Sequence, residues 1–437
     1  MRTRSKVLLT VGAAFAVLAG LWALIAPGLL VKYPSHVDKT AVASGTFSLA
    51  VNPSTGAPLA KPEVLPLSIR RHVHVVSSSG SQVVVKEDDL EKIGPLPQQD
   101  LQQQYVLDRS SVKSLPSHQS YAYAPTGIVN RAPAYAINFP FHTGAGPYQV
   151  WKNEVGRSYT FRQQGAKVHR DGLTLIPFEG QLTDVPAQPY YLAQLSTLGD
   201  LPAQTTVGKL APQLKALGID PSQLSTVLLP QLSSQDRGAI RSALARPIPL
   251  RYVVSVKTRL LVEPTTGAVV SLDRINESLG VQAQLGGLSV VGTVLGKSAY
   301  RNNPAIIAAR HTLAKLPQRP PTTTVFAYTY GQTPASVADI ASYAKSGAQM
   351  ITAAETTIPL AVLLLGVLSA AIGLGLWWRE RRSEGSAPSD LAPARKPEGP
   401  RDTPTSPVTS ATAPANGAGT GRPDAATRPR ELEEVRR

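Results

Sequence analysis

Two uncharged apolar runs, Val7 to Val31 and Ile358 to Trp378, constrain this chain more than any other feature of its sequence. Each is long enough to cross a hydrocarbon core of about 30 Å as a helix rising about 1.5 Å per residue. The remainder is too polar, or too broken by Pro and Gly, to cross in that way. Arg2, Arg4 and Lys6 precede the first run, and Arg379, Arg381 and Arg382 follow the second. Basic residues beside a span are retained on the cytoplasmic side, so the pattern predicts both termini inside and residues 32–357 outside. Tyr33, Trp377, Trp378 and Arg379 are expected at the membrane interfaces, where amphipathic rings and long cationic stems are favoured.

A cleaved signal peptide is the competing reading of the first run, because a basic segment also opens such peptides. The best cleavage pattern, Val17-Leu18-Ala19, would strand Gly20 to Val31 on the mature end, whereas an uncleaved anchor uses the whole run. The expected layout is therefore a cytoplasmic N-terminus (1–6), a first transmembrane helix (7–31), an extracytoplasmic domain (32–357), a second transmembrane helix (358–378) and a cytoplasmic tail (379–437). From residue 383 the tail is rich in Ser, Pro, Ala, Thr and Gly and has little to bury, which predicts disorder. In the second helix Gly366 with Ala370, Ser369 with Gly373, and Ala371 with Gly375 are small residues four apart, a spacing that lets another helix approach closely. The partner is either Gly12, Ala16 and Gly20 of the first run or a second copy of the chain.

The outer segment has no cysteine, so it must rely on a packed core rather than disulfides. The net charge of +15 divides into +3 before the first run, +10 between the runs and +2 from Arg379 onward. A basic outer domain suits anionic envelope lipids or polymers, and its location disfavours nucleic acid. Membrane lipid is the expected partner.

Period-two patterns separated by turn residues predict strands over much of this domain. Leu67, Ile69, Val73 and Val75 alternate with Ser68, Arg70, His72 and His74, and Ser77 to Gly80 turns the chain into Gln82 to Val85. Further candidates are Thr46–Val51, Tyr135–Phe139, Tyr148–Trp151, Tyr159–Arg162, Leu173–Phe178, Tyr252–Val262, Ala268–Leu272 and Val325–Tyr330. Around 204–246 the period becomes helical, with Val207, Leu210, Leu214 and Leu217 on one face, so a helical insertion is expected. Further helices are predicted over Ala305–Lys315 and from Thr333 as N-cap and Pro334 toward the second span. The fold class is α+β: a β-rich extracytoplasmic domain with a helical insertion, flanked by two transmembrane helices.

Chemistry is sparsely marked. His72 and His74 share a strand face, but no third ligand lies nearby in sequence, so a polar strand face is favoured over a metal site. Gly292 to Ser298 lacks the first glycine of a P-loop. The run Glu87-Asp88-Asp89-Leu90-Glu91 lacks the spacing of a calcium loop and reads as a solvated loop or helix start. Asp108, Asp171, Glu179 and Asp184 are scattered carboxylates that the sequence cannot place in one cleft. Asn276-Glu277-Ser278 fits a glycosylation pattern that arises often by chance. No cofactor, metal or catalytic residue is assigned.

Tyr105-Val106-Leu107-Asp108-Arg109, Ile137-Asn138-Phe139-Pro140-Phe141, Tyr148-Gln149-Val150-Trp151, Gly172-Leu173 and Val262-Glu263-Pro264-Thr265-Thr266-Gly267 lie in order between the two runs. Together with that layout they resemble the actinobacterial PorA-type porin family, long classed as a domain of unknown function, over most of residues 1–380. In relatives an acidic residue commonly follows the Tyr-x-x-Trp stretch. Lys152 stands there in this chain, a departure that weakens any role proposed for that position. The resemblance implies a porin. A membrane barrel needs many strands of about ten residues with an apolar outer face, and that pattern is missing. The leading expectation is a non-enzymatic protein binding or scaffolding a lipid or other envelope component, with a porin or channel, and then an envelope hydrolase, as alternatives.

Overall fold

The computed structural model describes residues 3–52, 58–123, 127–196, 201–216, 220–314 and 322–384. Contacts group Met1–Glu380 as one compact unit, and residues 381–384 finish the last helix. The strands are β1 (Asp38–Val51), β2 (Pro58–Ser79), β3 (Gln82–Ile93), β4 (Gln99–Asp108), β5 (Tyr121–Ala122), β6 (Tyr148–Lys152), β7 (Arg157–Gln163), β8 (Val168–Arg170), β9 (Leu173–Pro186), β10 (Gln204–Thr205), β11 (Ile248–Val262), β12 (Val269–Ala283) and β13 (Thr323–Gln332). The helices are α1 (Thr3–Leu30), α2 (Pro189–Leu195), α3 (Ala211–Ala216), α4 (Pro221–Gln223), α5 (Ser234–Ala245), α6 (Ser289–Leu295), α7 (Pro304–Ala314), α8 (Pro334–Thr352) and α9 (Ile358–Glu384).

All but two strands lie in the order β5-β4-β3-β2-β1-β13-β12-β11-β9-β7-β6, every pair antiparallel. The α+β expectation therefore holds, with a half-barrel sheet as its scaffold. Side chains of a strand alternate between faces, and here one face of every long strand points into the curl. Phe47 of β1 meets Phe326 and Tyr328 of β13 at centroid distances of 5.4 and 5.1 Å. The same core cluster takes in Leu67 and Ile69 of β2, Val185 of β9 and Val254 of β11, so strands far apart in the sheet share one interior. Outside the apolar patch that α8 covers, the other face is polar: Arg70, Arg162, Lys257 and Arg259 are exposed on it. It cannot face lipid without stranding those charges.

Three local expectations are corrected. The acidic run 87–91 is not a solvated loop or helix start but the middle of β3, with Glu87, Asp89 and Glu91 buried. Residues 135–139 do not form a strand; Tyr135 alone makes a parallel bridge, to Val150. The strands are also far longer than the short alternating patches suggested, β2 reaching 22 residues.

At the end of the sheet farthest from the apolar helices, two helical excursions pack together. Leu228, Leu229, Leu232 and Ile240, from the expected insertion, form a cluster with Val291, Leu295 and Ile306 from the connection between β12 and β13. Ser233 caps α5 by accepting from Asp236 N. At the opposite end, Thr333 caps α8 and Pro334 occupies its first turn. Val337, Ala341 and Ala344 of α8 pack on Leu173, Leu175, Leu261 and Val270 of the sheet. A π-helical turn, Ala353–Thr357, joins α8 to α9.

Among the described residues two helices, α1 and the α8–α9 stretch, are long and apolar enough to cross a membrane. They touch through small residues: a Cβ on Gly12 would fall 2.8 Å from Gly366 O and 2.9 Å from Ala370 Cβ, and one on Gly366 would fall 3.3 Å from Ala16 N. Gly373 is buried, while Gly20 faces open space. Trp22 Nε1 donates to Ala354 O (2.9 Å), tying α1 to the π turn. Trp378 and Arg379 are exposed and Trp377 is half-buried. Tyr33, expected at the interface, is instead buried among Val83, Val85, Tyr105 and Leu107, because its backbone pairs with Arg109 beyond the end of β4.

Candidate functional site

The two edges of the sheet meet at one guanidinium. Arg131 has no exposed surface. Its Nη1 donates to Gln104 O of β4 (2.8 Å) and Ser120 Oγ (2.6 Å), its Nη2 to Tyr121 O of β5 (2.8 Å), and its Nε to Asn153 Oδ1, just past β6 (3.0 Å). The cation also lies 4.4 Å from the centre of the Tyr105 ring. Asn153 Nδ2 donates to Gln103 Oε1 of β4 as well. Ser114 N donates to Ala134 O, and Tyr135 N to Gln149 O, so the intervening segment bridges β4 to β6. Burial pulls the Arg131 pKa below its ordinary value. An arginine nonetheless keeps its proton, and four hydrogen bonds with a ring face compensate its lost hydration.

Among the described residues, three cavities follow one another inside the curl. At the end nearest α8, about 250 Å³ is lined by Val37, Lys39, Ile137, Phe139, Ile340 and Tyr343, among others. The middle cavity, about 210 Å³, is bordered by β2, β3, β4, β6, β7, β11, β12 and β13. Arg71, Ala136, Val150, Phe161, Leu260 and Leu272 border both of these. The far cavity, also about 210 Å³, is apolar, with Phe47, Leu49, Val51, Leu65, Leu250 and Phe326 in its wall. Leu195 of α2 borders it and the middle cavity, so α2 stands between the two.

The middle cavity carries the charge. Arg71 Nε lies 3.1 Å from Glu87 Oε1, and the same guanidinium forks onto Asp89 at 2.9 and 2.8 Å. Lys152 Nζ lies 3.0 Å from Glu154 Oε2 and 2.7 Å from Glu277 Oε2. Burial pushes Glu87 up to about 7, against the pull of Arg71, and Glu277 up to about 7, against the pull of Lys152. Burial also opposes the charge on Glu154, but Lys152 and a hydrogen bond from Tyr123 bring that group below its usual value. Among the described residues Glu91 is in no ion pair; burial raises it to about 7, and its Oε1 is sealed from solvent without a hydrogen bond. Tyrosines 123, 191, 328 and 330 complete the wall.

Four of these five carboxylates are ion-paired two to a cation, an arrangement that holds charge in place. The carboxylates singled out from sequence are elsewhere and make separate contacts. Asp108 accepts from Ser111 N (2.7 Å), Asp171 lies 3.5 Å from Arg170, Glu179 pairs with Lys257 (2.9 Å), and Asp184 accepts from Ser255 Oγ (3.3 Å). Lys152, set aside as a departure, is central. So is Glu277, inside the glycosylation-like triplet. The available signal was charge at alternate positions of a strand, Glu87, Asp89 and Glu91, in phase with the apolar Val83, Val85 and Ile93.

A family model described as Porin PorA matches residues 4–375, and a search of curated proteins finds no match.

Proposed function

The chain belongs to the Porin PorA family, and from that premise we propose that it is a membrane-anchored conduit whose passage is the lumen of the curled sheet. α1 and α9 anchor it, with both termini cytoplasmic and the sheet on the outer side, as the flanking basic residues favour. The passenger is an amphiphilic envelope component. One observation carries this reading: a line of cavities begins beside Ile340 and Tyr343 of α8, the helix that leads directly into the apolar α9, and ends in an apolar chamber at the far end. Chains of a lipid suit the apolar cavities, and its polar group suits the charged, tyrosine-lined middle. The family description favours passage over a scaffolding role, and the polar outer face of the sheet keeps that passage out of the bilayer.

A second reading is an aqueous channel made by several copies through their helices. The family description favours it, while α1 and α9 offer it few polar groups for a lining. Two experiments separate the readings. Full chain purified in mild detergent and extracted with solvent should release a stoichiometric amphiphile detectable by mass spectrometry, and planar bilayers loaded with the same protein should stay silent. Steady conductance steps together with a ligand-free extract would reverse the order.

A further inference from the structure

On the outer face of the sheet, away from the lumen, strand register assembles what the sequence left incomplete. His72 and His74 project from β2 with their rings stacked, 4.8 Å between centroids and 24° between planes. Pairing of β2 with β3 sets Asp88 opposite His72. One ligand atom from each of His72, His74 and Asp88 lies within 4.8 Å of the others. Asp38 of β1, directly opposite His74 in register, places its Oδ1 2.9 Å from His72 Nε2. His74 Nδ1 is sealed from solvent, makes no hydrogen bond, and stands 3.8 Å from Asp88 Oδ2.

We propose that His72, His74 and Asp88 bind a divalent zinc ion, with Asp38 at hand as a fourth ligand. Two imidazoles and two carboxylates form a nitrogen–oxygen set that zinc accepts tetrahedrally at about 2.0–2.2 Å. Ligand atoms around such an ion stand roughly 3.4 Å apart, so the observed spacing of up to 4.8 Å must close by about 1.4 Å, within reach of side-chain torsions on the half-buried outer face. The His74 Nδ1 nitrogen, held by neither water nor a protein hydrogen bond, is left to act as a ligand. The bound ion would clamp β1, β2 and β3 where the chain enters the sheet from α1. Lys86 Nζ competes for the site, 2.9 Å from Asp88 Oδ1.

The test is isothermal titration of zinc into full-length, chelator-stripped protein in detergent, purified with a tag that contains no histidine. One zinc per chain is expected. Affinity should fall on the order of tenfold or more in His74→Ala and in Asp88→Asn. It should rise severalfold in Lys86→Met, and stay unchanged in His169→Ala, a histidine on β8. Circular dichroism melts without zinc establish that each variant folds; with zinc, the melt of the unsubstituted protein should move upward and that of His72→Ala/His74→Ala should not. Absence of binding at sub-millimolar zinc, or an affinity indifferent to the double substitution, would overturn the proposal.

Discussion

Arg71 and Lys152 stand in the wall of the same chamber, each paired with two carboxylates, yet they join different things. Arg71 of β2 reaches Glu87 and Asp89 on the adjacent strand β3. Lys152 of β6 reaches Glu277 of β12, and three strands separate β6 from β12 in the sheet. The first cluster reinforces a pairing that the backbone ladder already makes. The second crosses the lumen and holds the curl. An ion pair thus adds to topology only where the ladder does not already connect its partners.

Substitution separates the two roles. Arg71→Met should have the largest effect on stability, about 3–5 kcal/mol in thermal or denaturant unfolding, because it leaves Glu87 and Asp89 buried without a cation. Lys152→Met should cost somewhat less, about 2–4 kcal/mol, since it loses single ammonium contacts rather than a guanidinium fork and Glu154 keeps its hydrogen bond from Tyr123. Hydrogen exchange distinguishes them: Lys152→Met should speed exchange in β6 and β7, and Arg71→Met in β2 and β3. Matching exchange patterns would break the comparison.

The pH dependence sharpens it further. Glu87, Glu91 and Glu277 are raised from their ordinary value of 4.5 to about 7 in the folded chain. Between those values the folded state binds more protons than the unfolded one, so stability is greatest toward pH 5 and declines as pH rises through about 7. Lys152→Met should steepen this decline. Glu91→Gln should flatten it, gaining on the order of 1 kcal/mol at pH 8 in unfolding experiments. The smallest effect belongs to Lys257→Met. That side chain pairs with Glu179 on the half-exposed outer face, where a change below about 0.5 kcal/mol is expected. A loss as large as that of Lys152→Met would mean that crossing the lumen confers nothing.

What the sequence made legible follows from the same division. The long apolar runs, the strand pairs on either side of Glu263–Gly267 and the capped start of α8 are local patterns, and each lies where residue spacing places it. The lumen is a product of register between strands remote in sequence. Acidic residues 87–91 therefore looked solvated, although alternate members share a face with Val83, Val85 and Ile93. Arg131 carried no signal at all, since its partners, Gln104, Tyr121 and Asn153, are brought to it by the curl. His72 and His74 were visible as a pair, but Asp88 joins them through the pairing of β2 with β3, and Asp38 through that of β1 with β2.

The lumen as a passage for an amphiphile is tested most directly by photo-crosslinking. Full-length protein reconstituted into vesicles containing a phospholipid with a photoactivatable group on its acyl chain would be irradiated, digested and mapped by mass spectrometry. The account predicts adducts on residues of β11, β12 and β13 that line the two apolar cavities, such as Leu260, Val281 and Phe326, in addition to those on α1 and α9. Adducts confined to the two apolar helices, with the inner face of the sheet unlabelled, would contradict it.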